Sequence, residues 1–325
     1  MNIGDIAEMA GVSRAAVSRY LNNGYISAEK KERIQKVIEE TGYKPSVMAQ
    51  TLRTKKTKLI GVVLPRINSD SISSVVEGIG NELSKSGYEM LLATTDNQPD
   101  KELEYLRVFS KNRVDGVILI ATVFTKEHKK ILKEMPLPCV IVGQTLAGKS
   151  CIFHNDYDAG RKLTGLILKK RRHIGYISVM KEDVAVGQRR WEGYRDAMGQ
   201  ASIRVEDNMT VTADFSIQSG YEKMRDLMDQ YPEIDGVVCA TDRIAVGAMR
   251  YLKECKKKVP EDVAVAGFGD NIISSVTTPA VTTVHFHYHE SGQRAADVIL
   301  NQLNHPDKAT VEMKLGFEVV EREST

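Results

Sequence analysis

The sequence predicts a chain of two unlike parts: a small all-α helix-turn-helix domain, then a larger α/β body of two Rossmann-like lobes with parallel sheets. Three observations predict it. Residues 1–42 carry only short helical periodicities, residues 54–58 (Thr-Lys-Lys-Thr-Lys) form a polar, basic link, and from Leu59 onward apolar runs alternate with amphipathic helices.

In the head, Ile6, Ala7 and Ala10 recur at helical spacing and then meet Gly11-Val12, a tight turn. Ser13 is placed to cap the next helix by accepting a hydrogen bond from an exposed backbone N–H. Val17 and Leu21, four apart, give that second helix one apolar face. A third helix starts near Ala28 with Ile34, Val37 and Ile38 as its buried stripe, and Gly42 ends it where a left-handed residue costs least. The Pro45-started segment through Arg53 is too short to be a stable isolated helix. The boundaries are therefore read as 1–45 for the head, 46–58 for hinge and linker, and 59–325 for the body.

In the body, apolar runs at 59–64, 90–93, 117–120, 140–142, 174–179, 209–211, 237–240 and 263–267 fit strands covered on both faces of parallel sheets. Helices are expected near 72–86, 101–111, 126–134, 159–170, 189–199, 217–230, 242–255 and 288–303. Val114-Asp115-Gly116-Val117 and Ile234-Asp235-Gly236-Val237 each open a strand, which hints at duplication. Two such lobes would leave a cleft at their strand C-termini, where open α/β sheets bind ligands.

Composition narrows the function. Residues 1–58 carry a balance of +5 (11 Lys and Arg against 6 Asp and Glu), and the remainder a balance of −3. A basic head on a mildly acidic body attracts phosphates locally, although a solvated basic face has the same composition. Cys139, Cys151, Cys239 and Cys255 are widely spaced, so reduced cysteines are expected and a disulfide framework is not. No apolar run is long enough to span a membrane, and the segment after Met1 lacks the marks of a secretory signal, so a cytoplasmic, nucleoid-associated protein is expected. Neither a P-loop nor Gly-x-Ser-x-Gly is present, and Gly78-x-Gly80 does not complete a dinucleotide motif. No cofactor, no metal and no enzymatic activity are expected.

Ser13-Arg14-Ala15-Ala16-Val17-Ser18-Arg19 after a Gly-containing turn suits a recognition helix in the major groove, with Arg19 placed for bidentate contact to guanine. Pattern alone also allows a three-helix protein-binding module. The stretch from Ile3 to Asn22, with Gly42-Tyr43-Lys44-Pro45 and Ala49-Gln50-Thr51-Leu52-Arg53, resembles the N-terminal signature of the LacI/GalR family of transcriptional regulators. The resemblance implies a dimer on a palindromic operator in double-stranded DNA, read by Ser13, Arg14, Ala15, Ser18, Arg19 and Asn22. It also implies a hinge that becomes helical on DNA, where Leu52 wedges into the minor groove beside Arg53.

The resemblance covers nearly the whole chain and implies a periplasmic-binding-protein-like body. Its markers are Arg190-Trp191-Glu192-Gly193-Tyr194, Asp214-Phe215-Ser216, Val259-Pro260-Glu261-Asp262-Val263, Gly267-Phe268 and Thr278-Pro279. It places chain crossings between lobes near 155–158, 284–287 and 306–310, giving an N-lobe of 59–156 with 285–307 and a C-lobe of 157–284 with 308–325. By motif match Arg190 aims into the cleft, where its fork of donors suits sugar hydroxyls, and Phe215 stacks on the ligand. Thr241 and Asp242 follow, though helix capping explains that pair equally well.

The chain departs from the family pattern at Ser69-Asp70-Ser71-Ile72, at Val142-Gly143-Gln144 and at Gly267-Phe268-Gly269-Asp270. Ser71, Gln144, Asp156, Asp270 and His287 complete the candidate effector set, for a small sugar or sugar phosphate. His285-Phe286-His287-Tyr288-His289 tempts a metal reading, but the segment falls at a crossing beside the cleft. Within the family, the chain, including His154-Asn155-Asp156-Tyr157, is most similar to sucrose or fructoside operon repressors. Two alternatives stand beside that reading: a global carbon-catabolite regulator answering to a phosphorylated carrier protein, and a non-regulatory sugar-binding protein or sugar enzyme.

Overall fold

The computed structural model describes residues 1–22, 24–43, 56–111 and 114–325. It divides into two compact units, Met1–Lys58 and Leu59–Thr325.

The first unit holds α1 (Ile3–Met9), α2 (Arg14–Leu21) and α3 (Ala28–Thr41). Asn2 and Asp5 form a reciprocal capping box on α1, and the Ser13 hydroxyl accepts from Ala16 N–H at 3.2 Å to start α2. Gly11 and Gly42 take positive φ of 60° and 63° at the turns expected of them. Ile6, Ala7, Ala16, Val17, Ile34 and Val37 close one small core. Arg33 of α3 reaches back to donate to the carbonyls of Ala10 and Gly11, which ties the turn between α1 and α2 to the third helix.

The second unit has two sheets. The N-lobe holds β1 (Leu59–Leu64), β2 (Glu89–Thr94), β3 (Gly116–Ile120), β4 (Cys139–Val142), β5 (Ser150–His154) and β11 (Glu312–Leu315), in the order β11-β5-β4-β3-β1-β2, every pairing parallel. Its helices are α4 (Asp70–Lys85), α5 (Pro99–Ser110), α6 (Lys126–Glu134) and α12 (Tyr288–Asn304). The C-lobe holds β6 (Ile174–Ser178), β7 (Thr210–Thr212), β8 (Gly236–Cys239), β9 (Ala264–Phe268), β10 (Thr282–Phe286) and β12 (Phe317–Val320), ordered β12-β10-β9-β8-β6-β7. There only the β10–β12 pairing is antiparallel. Helices α7 (Asp156–Ile167), α8 (Arg190–Gln200), α9 (Ile217–Gln230), α10 (Asp242–Glu254) and the short α11 (Ile272–Val276) complete it. The strands β3, β4, β8 and β9 are buried at every position, as continuous apolar runs between helix layers require.

The chain passes between lobes after β5, after β10 and at Gly316, between β11 and β12. The third passage corrects the expected one at 306–310: those residues join α12 to β11 inside the N-lobe, which therefore keeps 308–315. The sequence signal there is weak because β11 alternates exposed and half-buried residues and offers no apolar run. Strands β5, β10 and β12 are further additions to the expected set, although β5 and β10 are interior strands of their sheets. Among the described residues no helix is long and apolar enough to cross a membrane. The four cysteines are free, and only Cys255 is exposed.

Candidate functional site

In the head, α2 buries Ala16 and Val17 and leaves the opposite face open: Arg14, Ala15, Arg19 and Asn22 are exposed and Ser18 is half-buried. The spacing of these residues puts them on one stripe of the helix. Asn22 is turned back to the Ser18 carbonyl, and the Ser13 hydroxyl is engaged in capping, so the two arginines are the long side chains this face presents. Asn23, and the hinge residues Leu52 and Arg53 among residues 44–55, lie outside the described residues.

The body brings several of its candidates together where the chain crosses between lobes. Asp183 caps a π-helical turn, Val184–Arg189, that runs directly into α8 at Arg190. A π turn holds more residues than an α turn and so re-aims the side chain that follows it. The Arg190 guanidinium is buried, donates through Nε to Asp156 Oδ1 at 2.8 Å and through a terminal nitrogen to the Ala240 carbonyl at 2.8 Å, and lies 4.8 and 4.9 Å from the Phe268 and Phe286 ring centres. Burial is the largest single influence and opposes its charge, but the Asp156 carboxylate together with Tyr288 and Tyr176 outweighs it and holds the guanidinium pKa above its ordinary value. Half-buried Tyr288 of the N-lobe interacts with Ser71 of α4 on one side and with Arg190 and Asp156 of the C-lobe on the other, so a polar cluster spans the two lobes. Aromatic rings enclose it: His154 lies 5.1 Å from Phe286 and 5.2 Å from Tyr288. Burial there pushes the His154 pKa down to about 3.

Close approach of α7 and α8 sets this geometry. A Cβ on Gly160 would stand 2.3 Å from the Arg190 carbonyl oxygen, and one on Gly193 would stand 2.1 Å from that of Tyr157. The same device joins α4 to α12, where a Cβ on Gly78 would meet the His289 carbonyl at 2.0 Å. The Gly78-x-Gly80 pattern is thus a helix-packing feature.

The remaining candidates take separate places. Phe215 faces the N-lobe, with the Arg66 guanidinium 3.9 Å above its ring centre. Gln144 is buried and donates to the Ala121 and Thr122 carbonyls, bracing the loops that follow β3 and β4. Thr241 caps α10, and Asp242 is fully buried, accepting from Asn271 N–H and the Thr283 hydroxyl. Burial lifts the Asp242 carboxyl to about 6 against those two hydrogen bonds. Asp270 is held by His285 and Arg322. His287 precedes α12 with its ring edge-on to His285, while His289 turns away to Asn81, so the three histidines do not gather at one point. Two residues escaped the sequence reading: Arg66, and Arg243, whose guanidinium crosses to the Asn68 carbonyl at 3.2 Å. Neither sits in a motif, since each acquires its setting only when the lobes face each other.

Residues 2–46 match the family of bacterial regulatory proteins known as lacI, and residues 164–325 match a periplasmic binding protein-like domain. The chain is 32% identical to the sucrose operon repressor of Staphylococcus xylosus, over 98% of this chain and 99% of that one. Among solved structures it is similar to the complex of the transcriptional regulator CelR with cellobiose (TM-score 0.78, 27% identity, all of both chains). The lac repressor dimer bound to operator and the anti-inducer ONPF has the same fold (TM-score 0.91, 23% identity, 100% of this chain and 99% of that one).

Proposed function

The chain belongs to the lacI family of bacterial regulatory proteins, which are DNA-binding regulators and not enzymes, and from that premise we propose that it is a dimeric repressor of a carbohydrate-utilisation operon. A small saccharide held between the lobes governs its grip on a palindromic operator.

One observation carries the reading. The same chain combines an open α2 face bearing Arg14 and Arg19 with a buried Arg190–Asp156 pair beside half-buried Tyr288 and Ser71 of the other lobe. The first suits base edges in the major groove, with Arg19 as the bidentate donor to guanine and Ala15 against a thymine methyl. The second ties ligand contact to lobe closure, because a group that moves Arg190 or Tyr288 moves residues of both lobes. Phe215 supplies an apolar platform for the C–H face of a sugar, and the guanidinium fork suits vicinal hydroxyls. The relatives agree in kind, one being a sucrose operon repressor and one a regulator bound to cellobiose.

Two-fold pairing follows from a palindrome with two half-sites. Exposed apolar residues on both lobes offer surface for it: Leu91 and Leu92 on β2, and Ile272 and Val276 on α11. By resemblance, Leu52 and Arg53 act in the hinge, which orders on DNA and gives the body something to disrupt. A cytoplasmic site of action fits this role.

The test is an electrophoretic mobility assay with the palindromes upstream of the chain's own gene neighbourhood and with random duplexes, each with and without a panel of mono- and disaccharides. A preference for one palindrome that one saccharide alters supports the proposal. Equal affinity for every duplex under all conditions removes it.

A further inference from the structure

Of the arginines around the cleft, Arg190 is matched by a carboxylate and Arg66 and Arg243 are not. Among the described residues neither of the latter makes an ion pair, and the Nε of each is buried with no hydrogen-bond partner. The two lie close together: Arg66 follows β1, and Arg243 donates to the carbonyl of Asn68, two residues farther along the same loop. Asp183 and Asp214 act on Arg66 only at longer range, and their carboxylates already accept from Val186 and Ser216 N–H. Burial, and then the neighbouring Arg243 charge, push the Arg66 pKa below its ordinary value, against the pull of those two acids. Leaving these half-buried guanidinium groups with a buried, unbonded Nε–H each and no carboxylate costs free energy that an oxyanion placed between them would recover.

We propose that Arg66 and Arg243, one from each lobe, form an oxyanion site, so that the effector is a saccharide bearing a phosphate or a carboxylate whose ring rests on Phe215. An anion drawn between the two guanidinium groups takes Arg66 off the Phe215 ring and opens that ring to the sugar, so one event places both ends of the ligand. Arg243 simultaneously trades its bond to the Asn68 carbonyl for the anion, which couples charge recognition to the distance between lobes. This inference rests on the reading that the cleft takes a carbohydrate effector, and its test keeps the two apart.

Isothermal titration calorimetry at constant ionic strength compares fructose with fructose 6-phosphate, glucose with glucose 6-phosphate and with gluconate, sucrose with sucrose 6-phosphate, and inorganic phosphate alone. The full-length protein is used throughout. The expected result is that at least one charged derivative binds ten-fold or more tightly than its neutral parent. That preference falls to less than three-fold in Arg66→Gln and in Arg243→Gln, while Arg66→Lys, which keeps the charge and gives up the fork, retains part of it. Phosphate esters and gluconate distinguish the two oxyanions, and competition by inorganic phosphate supports a site for the anion itself. If a neutral parent binds as tightly as its derivatives, or if the Gln variants keep the full preference, the oxyanion site is overturned and the cleft reading stands. If no saccharide or derivative binds, both fall. Should either Gln variant fail to fold, the Lys variants carry the test: each must lower the preference by three-fold or more, and an unchanged preference overturns the site.

Discussion

Arg190 Nε stands 2.8 Å from Asp156 Oδ1 with both side chains almost wholly inside the protein, 4% and 6% exposed. A buried pair of this kind adds little stability over an apolar substitute, because desolvation offsets most of the attraction, but losing one partner strands the other charge. Asp156→Asn and Arg190→Ala are each expected to destabilise the body by about 3–5 kcal/mol. The double substitution should cost less than the sum, because the stranded charge is gone. Urea unfolding of the four proteins checks this, and fully additive losses would show that the two groups do not interact.

Three buried groups should give the body opposing responses to acid. His154 is held neutral, its pKa pushed from 6.5 down to about 3 by burial. The unfolded chain takes up that proton below pH 6.5 and the native state does not, so this contribution to stability is lost as pH falls from 6.5. Asp242 behaves in reverse: burial raises its carboxyl from 3.8 to about 6, and Asp183 is raised likewise to about 6. The native state keeps protons that the unfolded chain releases, so their contribution is present below pH 4 and is lost as pH rises through 6. Each tenfold difference in proton affinity between the two states is worth about 1.4 kcal/mol, so His154→Phe should weaken the loss of stability between pH 6.5 and 5 by about 2 kcal/mol. Asp242→Asn should fall further behind the wild type as pH drops from 6 to 4. Urea unfolding at pH 7, 6, 5 and 4 reads both; curves that stay parallel to the wild type would contradict the burial argument.

The helix crossing beneath Arg190 leaves no room for a side chain. Gly160→Ala would press a methyl against the Arg190 carbonyl oxygen at 2.3 Å, and Gly193→Ala would do the same to that of Tyr157 at 2.1 Å. Each should cost about 1–3 kcal/mol as α7 and α8 are forced apart. Because both relieve themselves by the same separation, the double variant should cost less than the sum. Denaturant melts measure the stability, and saccharide titration of the same variants shows whether Arg190 has shifted in the cleft. A wild-type melt for Gly160→Ala would contradict the close packing.

The legible parts are those written in local periodicity. Strands such as β3 and β8 are apolar on both faces and announce themselves, and the Ser13 cap, the Gly42 stop and the α2 stripe need only near neighbours. Strand β11 stays hidden because an edge strand with alternating exposure has the composition of a polar loop, and missing it displaces the third crossing. Resemblance singles out Arg190 and Phe215, but not what touches them: the partner of Arg190 lies across α7, and Phe215 meets Arg66 only from the other lobe. Asp242 shows the converse. A polar residue opening a helix beside a cleft matches the ligand-binding pattern, yet its carboxylate is spent on Asn271 and Thr283.

On the head, the two arginines of α2 and the hinge leucine should separate sequence reading from simple attraction to DNA. Arg19 is exposed on the face opposite Ala16 and Val17, so its removal disturbs no core contact. If it reads guanine, Arg19→Ala should cost about 1–3 kcal/mol on the preferred palindrome and relax the preference at one base pair in each half-site. Non-specific binding should change only by the loss of one charge. Leu52→Ala removes no charge at all, so it should leave random-duplex affinity unaltered while weakening the palindrome, because only a bent site accepts an apolar wedge. Competition binding at two salt concentrations separates these effects: Arg19→Ala should change the salt slope and Leu52→Ala should not. Equal losses on palindromic and random DNA for Leu52→Ala would rule out the wedge, and an unaltered base preference for Arg19→Ala would mean that this arginine holds phosphate instead.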